Sequence, residues 1–161
     1  MTRHSFHTLA ALIAAAALAG CQTFLDMHVL RDSRADNVVF ELSDGGQRAG
    51  ININHVVVYR CEDVRKSPRG KSPETAVWEA GAPFVRPTAD AGATFKYGIK
   101  PAGLVSMTEP RPLETPGCYV VSVSAFDRHG TRRTAPLAFE VRADGSIWEM
   151  TLREHHALSE R

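Results

Sequence analysis

The sequence predicts an all-β domain behind a processed leader. Three observations carry that expectation. Apolar residues alternate at period two in the best-patterned stretches, turn residues recur at short intervals, and no segment beyond the leader keeps a helical period over three turns. A chain of 161 residues, 43% hydrophobic and 23% charged, fits one globular core.

The leader comes first. Arg3, His4 and His7 precede the uniformly apolar run "LAALIAAAALA" from Leu9 to Ala19, and the first twenty residues contain no acidic side chain. At 1.5 Å rise per residue such a run covers only about half of a roughly 30 Å hydrocarbon core, which argues for a signal peptide and against a permanent span. A buried Ala-rich helix is the weaker alternative, because the run has no polar face. The run ends in "LAGC", Leu18 to Cys21. This tetrapeptide resembles a bacterial lipobox, and the resemblance implies cleavage before Cys21, acylation of its sulfur and usually of its new amino group.

On that reading residues 1 to 20 are a signal peptide and 141 residues remain. Two or three acyl chains suffice for stable attachment, at about 0.8 kcal/mol per buried methylene. Gln22 follows Cys21. In the best-studied sorting rule an Asp there favours the inner membrane, so the expectation is an outer-membrane anchor facing the periplasm. The full chain holds 19 Lys and Arg against 18 Asp and Glu, and losing Arg3 makes them equal. Net charge therefore supplies no steering toward an anionic polymer, and nucleic acid is not an expected partner.

With Cys21 committed to lipid, Cys61 and Cys118 remain. A disulfide is the default in an oxidising envelope, with two buried thiols or a metal pair as alternatives. Closing a loop of this length stabilises a fold by about 4 kcal/mol in the chain-entropy model.

Residues 21 to 36 lead from the anchor as a tether with one edge strand around Met27 to Leu30. The domain is expected over 37 to 151. "NVVFELSD" puts Val38, Phe40 and Leu42 on one side, and "NHVVVYRCED" puts Val57, Tyr59 and Cys61 together. Turn signals follow in "SDGG", "RKSPRGKSPE", "EAGAP", "DAGA", "KPAG" and "TPGC". The final third reads as a strand from Tyr119 to Phe126, a turn near Gly130, a strand from Pro136 to Arg142, a tight Asp144-Gly145 turn and a strand from Ile147 to Met150. Residues 152 to 161 are a polar tail.

"PLETPGCYVVSVSAFDRHG" carries Leu113 six positions before Tyr119, then Val121, Val123, Ala125 and Gly130. The pattern resembles the E–F corner and F strand of fibronectin type III domains, within the immunoglobulin-like sandwiches. The resemblance implies that Leu113 plugs the end of the sandwich and that the Tyr119 hydroxyl bonds back to the chain just upstream. It also makes "VVFELS" similar to strand B and "HVVVYR" to strand C, with Trp78 on the strand after C. C and F are antiparallel neighbours in that family, which implies that Cys61 and Cys118 lie side by side.

Chemistry is scarce. Asp127 and His129 stand two apart at a hairpin tip, and His155 and His156 are adjacent in the tail, where neighbouring side chains point apart. No catalytic residue, metal site or cofactor is expected. The basic cluster Arg65, Lys66, Arg69 and Lys71 reads as a solvated loop that protects a sheet edge, or as a contact for anionic headgroups, a cell-wall polymer or an acidic protein. The expected role is a non-catalytic envelope module. Small periplasmic lipoproteins that neutralise type VI secretion effectors look broadly similar in size, signal and cysteine pair. An accessory or structural subunit of an envelope complex is the second expectation, and a small envelope enzyme the third.

Overall fold

The computed structural model describes residues 24–48, 50–66, 75–82, 93–127 and 129–151. The leader, Cys21, the tail, and Arg69 and Lys71 of the basic cluster lie outside the described residues.

The described chain is all-β, in two antiparallel sheets. The smaller sheet orders β1 (Asp26–Val29), β2 (Val39–Ser43) and β5 (Thr94–Lys96) as β1-β2-β5. The larger holds β3 (Asn52–Arg60), β4 (Ala76–Gly81), β6 (Val105–Thr108), β7 (Gly117–Phe126), β8 (Arg132–Val141) and β9 (Ile147–Met150) in the order β6-β4-β3-β7-β8-β9. β1 is the edge strand expected within 21 to 36, and Leu25 and Met27 enter the core beside it.

Period two decides what is inside. Val38, Phe40 and Leu42 are all buried, as the alternation requires. Phe40 stacks on Phe95 in its own sheet at 5.0 Å and meets Phe139 of the other sheet edge-on at 5.5 Å. Trp78, on the strand after β3, packs against Phe95 at 6.5 Å and Tyr97 at 5.4 Å. These rings join the two sheets through one core.

On β3 the core-facing side chains are Val56 and Val58, whereas Val57 and Tyr59 lie together on the outer face. A register shift between Ile53 and His55 lets Ile53 stay in the core. The outer face is buried because a short helix, α1 (Cys61–Lys66), lies over it. Its Val64 packs on the Val57, Tyr59 and Ala76 group and on the Cys61, Val120 and Ala138 group. The loop expected from Arg65 thus begins inside a helix. β8 starts at Arg132, earlier than Pro136, because Ser122, Val123 and Ser124 pair with Pro136, Ala135 and Thr134.

Tyr119 is buried, and the Glu114 N–H donates to its hydroxyl oxygen at 2.6 Å. A Cβ on Gly117 would sit 2.6 Å from the Glu114 carbonyl oxygen and 2.9 Å from the Tyr119 ring, so only glycine fits beneath this crossing. Leu113 is half-buried and packs on the core. The Tyr119→Phe variant strands the Glu114 donor; we expect a loss of about 1 to 2 kcal/mol, read as a lower urea midpoint at unchanged slope.

Candidate functional site

Cys61 follows the last residue of β3 and Cys118 is the second residue of β7. Arg60 pairs with Tyr119, which sets the two cysteines against each other as a disulfide with Cα atoms 5.4 Å apart. Around this staple lie α1, the loop end of β7 and the irregular segment 109–117. They form one end of the sandwich.

The charges at this end are interlinked. The Arg60 guanidinium donates to the Glu114 carboxylate and lies 3.9 Å from Glu62, while Lys66 approaches Glu62 at 3.8 Å along the helix. These pairs are largely exposed and contribute little stability, about 0 to 1 kcal/mol each. Their effect is positional. They hold a pocket of about 190 Å³ between Arg60, Arg65, Glu62 and Glu114, with Cys118 and Tyr119 on its wall.

A second, more apolar groove of about 340 Å³ lies across the same segment, between Asp36, Tyr97, Pro110, Arg111 and Leu113. The Tyr97 hydroxyl donates to the Arg111 carbonyl at 2.7 Å. Burial, reinforced by the neighbouring Tyr119, pushes Tyr97 up to about 12, so it stays neutral. The Arg111 N–H donates to the Val77 carbonyl at 3.0 Å and completes the clasp.

Arg65 of the basic cluster therefore stands beside the disulfide and the corner residue Tyr119, and Lys66 reaches back to Glu62, while Leu113 lines the other groove. Sequence reasoning missed this convergence with Arg60, Glu62 and Glu114, which needs the β3–β7 register. It also missed His55 and Glu79. The His55 Nε2 lies 2.8 Å from the Glu79 carboxylate, Glu79 is buried on the outer face, and its second oxygen has no hydrogen-bond partner. Burial, then the nearby Glu79 charge, raises Tyr59 above its ordinary value.

Asp127 is engaged structurally. One oxygen accepts the N–H groups of His129 and Thr131 at 2.8 and 2.9 Å, and the other accepts Arg133 Nε at 3.1 Å. Burial alone would raise this carboxyl, but the Thr131 and His129 amides and the Arg133 charge together bring it below the usual carboxylate range. Among the described residues no three His, Cys, Asp or Glu side chains converge as metal ligands, and no helix is long and apolar enough to cross a membrane. No family model, curated protein or solved structure matches the chain.

Two outcomes are expected. Reductant should lower the unfolding free energy of the wild-type protein by about 4 kcal/mol, read as a lower urea midpoint, and leave a Cys61→Ser, Cys118→Ser double variant unaffected. Asp127 has a depressed folded-state pKa, so its contribution is present above the unfolded value of about 3.9 and is lost as pH falls through the folded one. An acid titration of wild type against Asp127→Asn should show that limb in the wild type alone.

Proposed function

We infer that the chain is a lipid-anchored, disulfide-stapled sandwich of the immunoglobulin and fibronectin type III kind. It works in the bacterial envelope as a non-catalytic protein-binding module, facing the periplasm and anchored in the outer membrane through Cys21. The observation that carries this reading is the juxtaposition of Cys61 and Cys118, a staple suited to an oxidising compartment, in a chain whose other cysteine sits in "LAGC". The strand order supports the fold assignment: β1, β2 and β5 correspond to strands A, B and E, and β4, β3, β7 and β8 to C′, C, F and G. The Tyr119 to Glu114 bond supports it further.

The recognition surface is the end built from α1, the 109–117 segment and the two concavities beside it, where fixed side chains of both signs surround apolar walls. Loops on a rigid sandwich are the usual carriers of such contacts. An immunity-type role, in which this surface blocks a secreted effector, is one specific form. The alternative is an accessory or structural subunit of an envelope complex.

The Cys21→Ser variant should leave the membrane fraction while keeping its denaturation midpoint; membrane retention would refute the anchor. Detergent pull-down with wild type and an Arg60→Ala, Arg65→Ala pair then tests the surface. A single stoichiometric toxin lost with the pair supports immunity, and a multi-subunit complex lost with it supports the accessory role. Capture unchanged by the pair would remove recognition from this end.

A further inference from the structure

The point where the chain enters the sandwich is fixed, and it is remote from the Cys61–Cys118 disulfide. The Leu25 N–H donates to the Thr134 carbonyl at 2.9 Å, in a parallel bridge between Phe24 and Thr134. Leu25 goes into the core and Phe24 turns outward, 61% exposed. A little further on, Glu149 accepts the Val29 N–H at 3.1 Å and lies 3.1 Å from His28 Nδ1, which ties β1 to β9. The entry therefore cannot swing independently of the domain.

Position along β8 gives the separation. Thr134 marks the entry level, and Cys118 pairs with Glu140, six positions further along the same strand. At about 3.3 Å per residue the disulfide lies roughly 20 Å from the entry level, and α1 starts there at Cys61 and lies back over the outer face. Three residue steps separate Cys21 from Phe24. Fully extended, they span at most about 11 Å.

Resting on the lipid-anchor reading above, we propose that the sandwich is seated on its own membrane by the Phe24 end, with the Phe24 ring in the lipid interface and the disulfide end pointing away. An acylated Cys21 lies at the boundary between headgroups and acyl chains, and each interfacial layer is only about 5 to 8 Å thick. A tether of about 11 Å keeps Phe24 inside or against that layer. The surface around it suits the contact. Gly45, Gly46 and Gln47 of the β2–β3 turn and Gly130 and Thr131 of the β7–β8 turn are exposed and uncharged. Of the charged groups there, Arg48 pairs with Glu41 at 3.0 Å and Arg133 with the Asp127 carboxylate. Arg132 and Asp26 are exposed and opposite in sign, and the half-buried Asp44 adds one acidic group in the β2–β3 turn. Phe24 supplies the apolar term, as aromatic residues do at membrane interfaces.

The test uses the full-length acylated protein in vesicles containing lipids brominated along the acyl chain, in a Trp148→Phe background that removes the exposed indole. Tryptophan is introduced singly, as Phe24→Trp or Lys66→Trp. Phe24→Trp should emit at shorter wavelength than the same variant in detergent-free solution after Cys21→Ser, and lose several-fold more intensity to the brominated lipid than Lys66→Trp does. Equal quenching at the two positions, or none at position 24, overturns the seat. Intact mass separates the two readings: an acylated chain without quenching at 24 refutes only the seat, and an unacylated chain refutes the anchor and the seat together.

Discussion

The β3–β7 pairing is the constraint on which the other features depend. Along it Val56 meets Val123, Val58 meets Val121 and Arg60 meets Tyr119. Side chains alternate with period two, so a slip of one position would carry Val56 and Val58 out of the core and Val57 and Tyr59 into it. Both faces of β3 are apolar, and alternation alone would not reject that slip. The disulfide removes the ambiguity. With Cys61 and Cys118 linked one step beyond the Arg60 and Tyr119 pair, a single register satisfies covalent geometry, the inner aromatic cluster and the outer patch beneath α1.

The same register organises the irregular segment beside it. Residues 109–117 belong to no strand until Gly117, and such a segment would ordinarily be mobile. It is instead pinned by the Arg111 N–H on Val77, the Tyr97 hydroxyl on the Arg111 carbonyl, the Glu114 N–H on Tyr119 and the Glu114 carboxylate on Arg60. Three of these four bonds involve a main-chain group, so the path of the backbone is what they fix. The two concavities flanking it are accordingly formed before any partner arrives, which lowers the ordering cost of binding.

What was legible in the sequence follows from the range of each interaction. Phe40 and Leu42 could be assigned to the core because alternation is local, and β9 and the Asp144-Gly145 turn could be placed to the residue because turn chemistry is local too. The Leu113 to Tyr119 spacing was readable for the same reason. α1 was not, since six residues make under two turns and its stability comes from Val64 packing on two groups that the sheet assembles. β5 and β6, of three and four residues, are too short for a period. The His55 and Glu79 pair needed the β3–β4 register, where His55 faces Gly81 and Val57 faces Glu79. Half of the basic cluster, Arg65 and Lys66, became interpretable only once α1 carried it to the disulfide end.

That placement decides between two readings of Arg65 under the proposed anchor. If the Phe24 end rests on the bilayer, the disulfide stands roughly 20 Å above it, counting along β8, and Arg65 lines the pocket beside that disulfide. Electrostatic attraction to headgroups decays over about 8 Å at physiological ionic strength, so at that height it is reduced to a small residue of its contact value. Arg65 cannot then work as an electrostatic clamp on its own membrane. It is presented instead to whatever occupies the periplasmic side, beside Glu62, Glu114 and a rigid backbone segment. Neighbouring charges of both signs favour a partner that matches them in position over one that is merely anionic, because a uniformly negative polymer would meet Glu62 and Glu114 as well as the cations. A folded protein surface meets that requirement; a repeating polyanion does not.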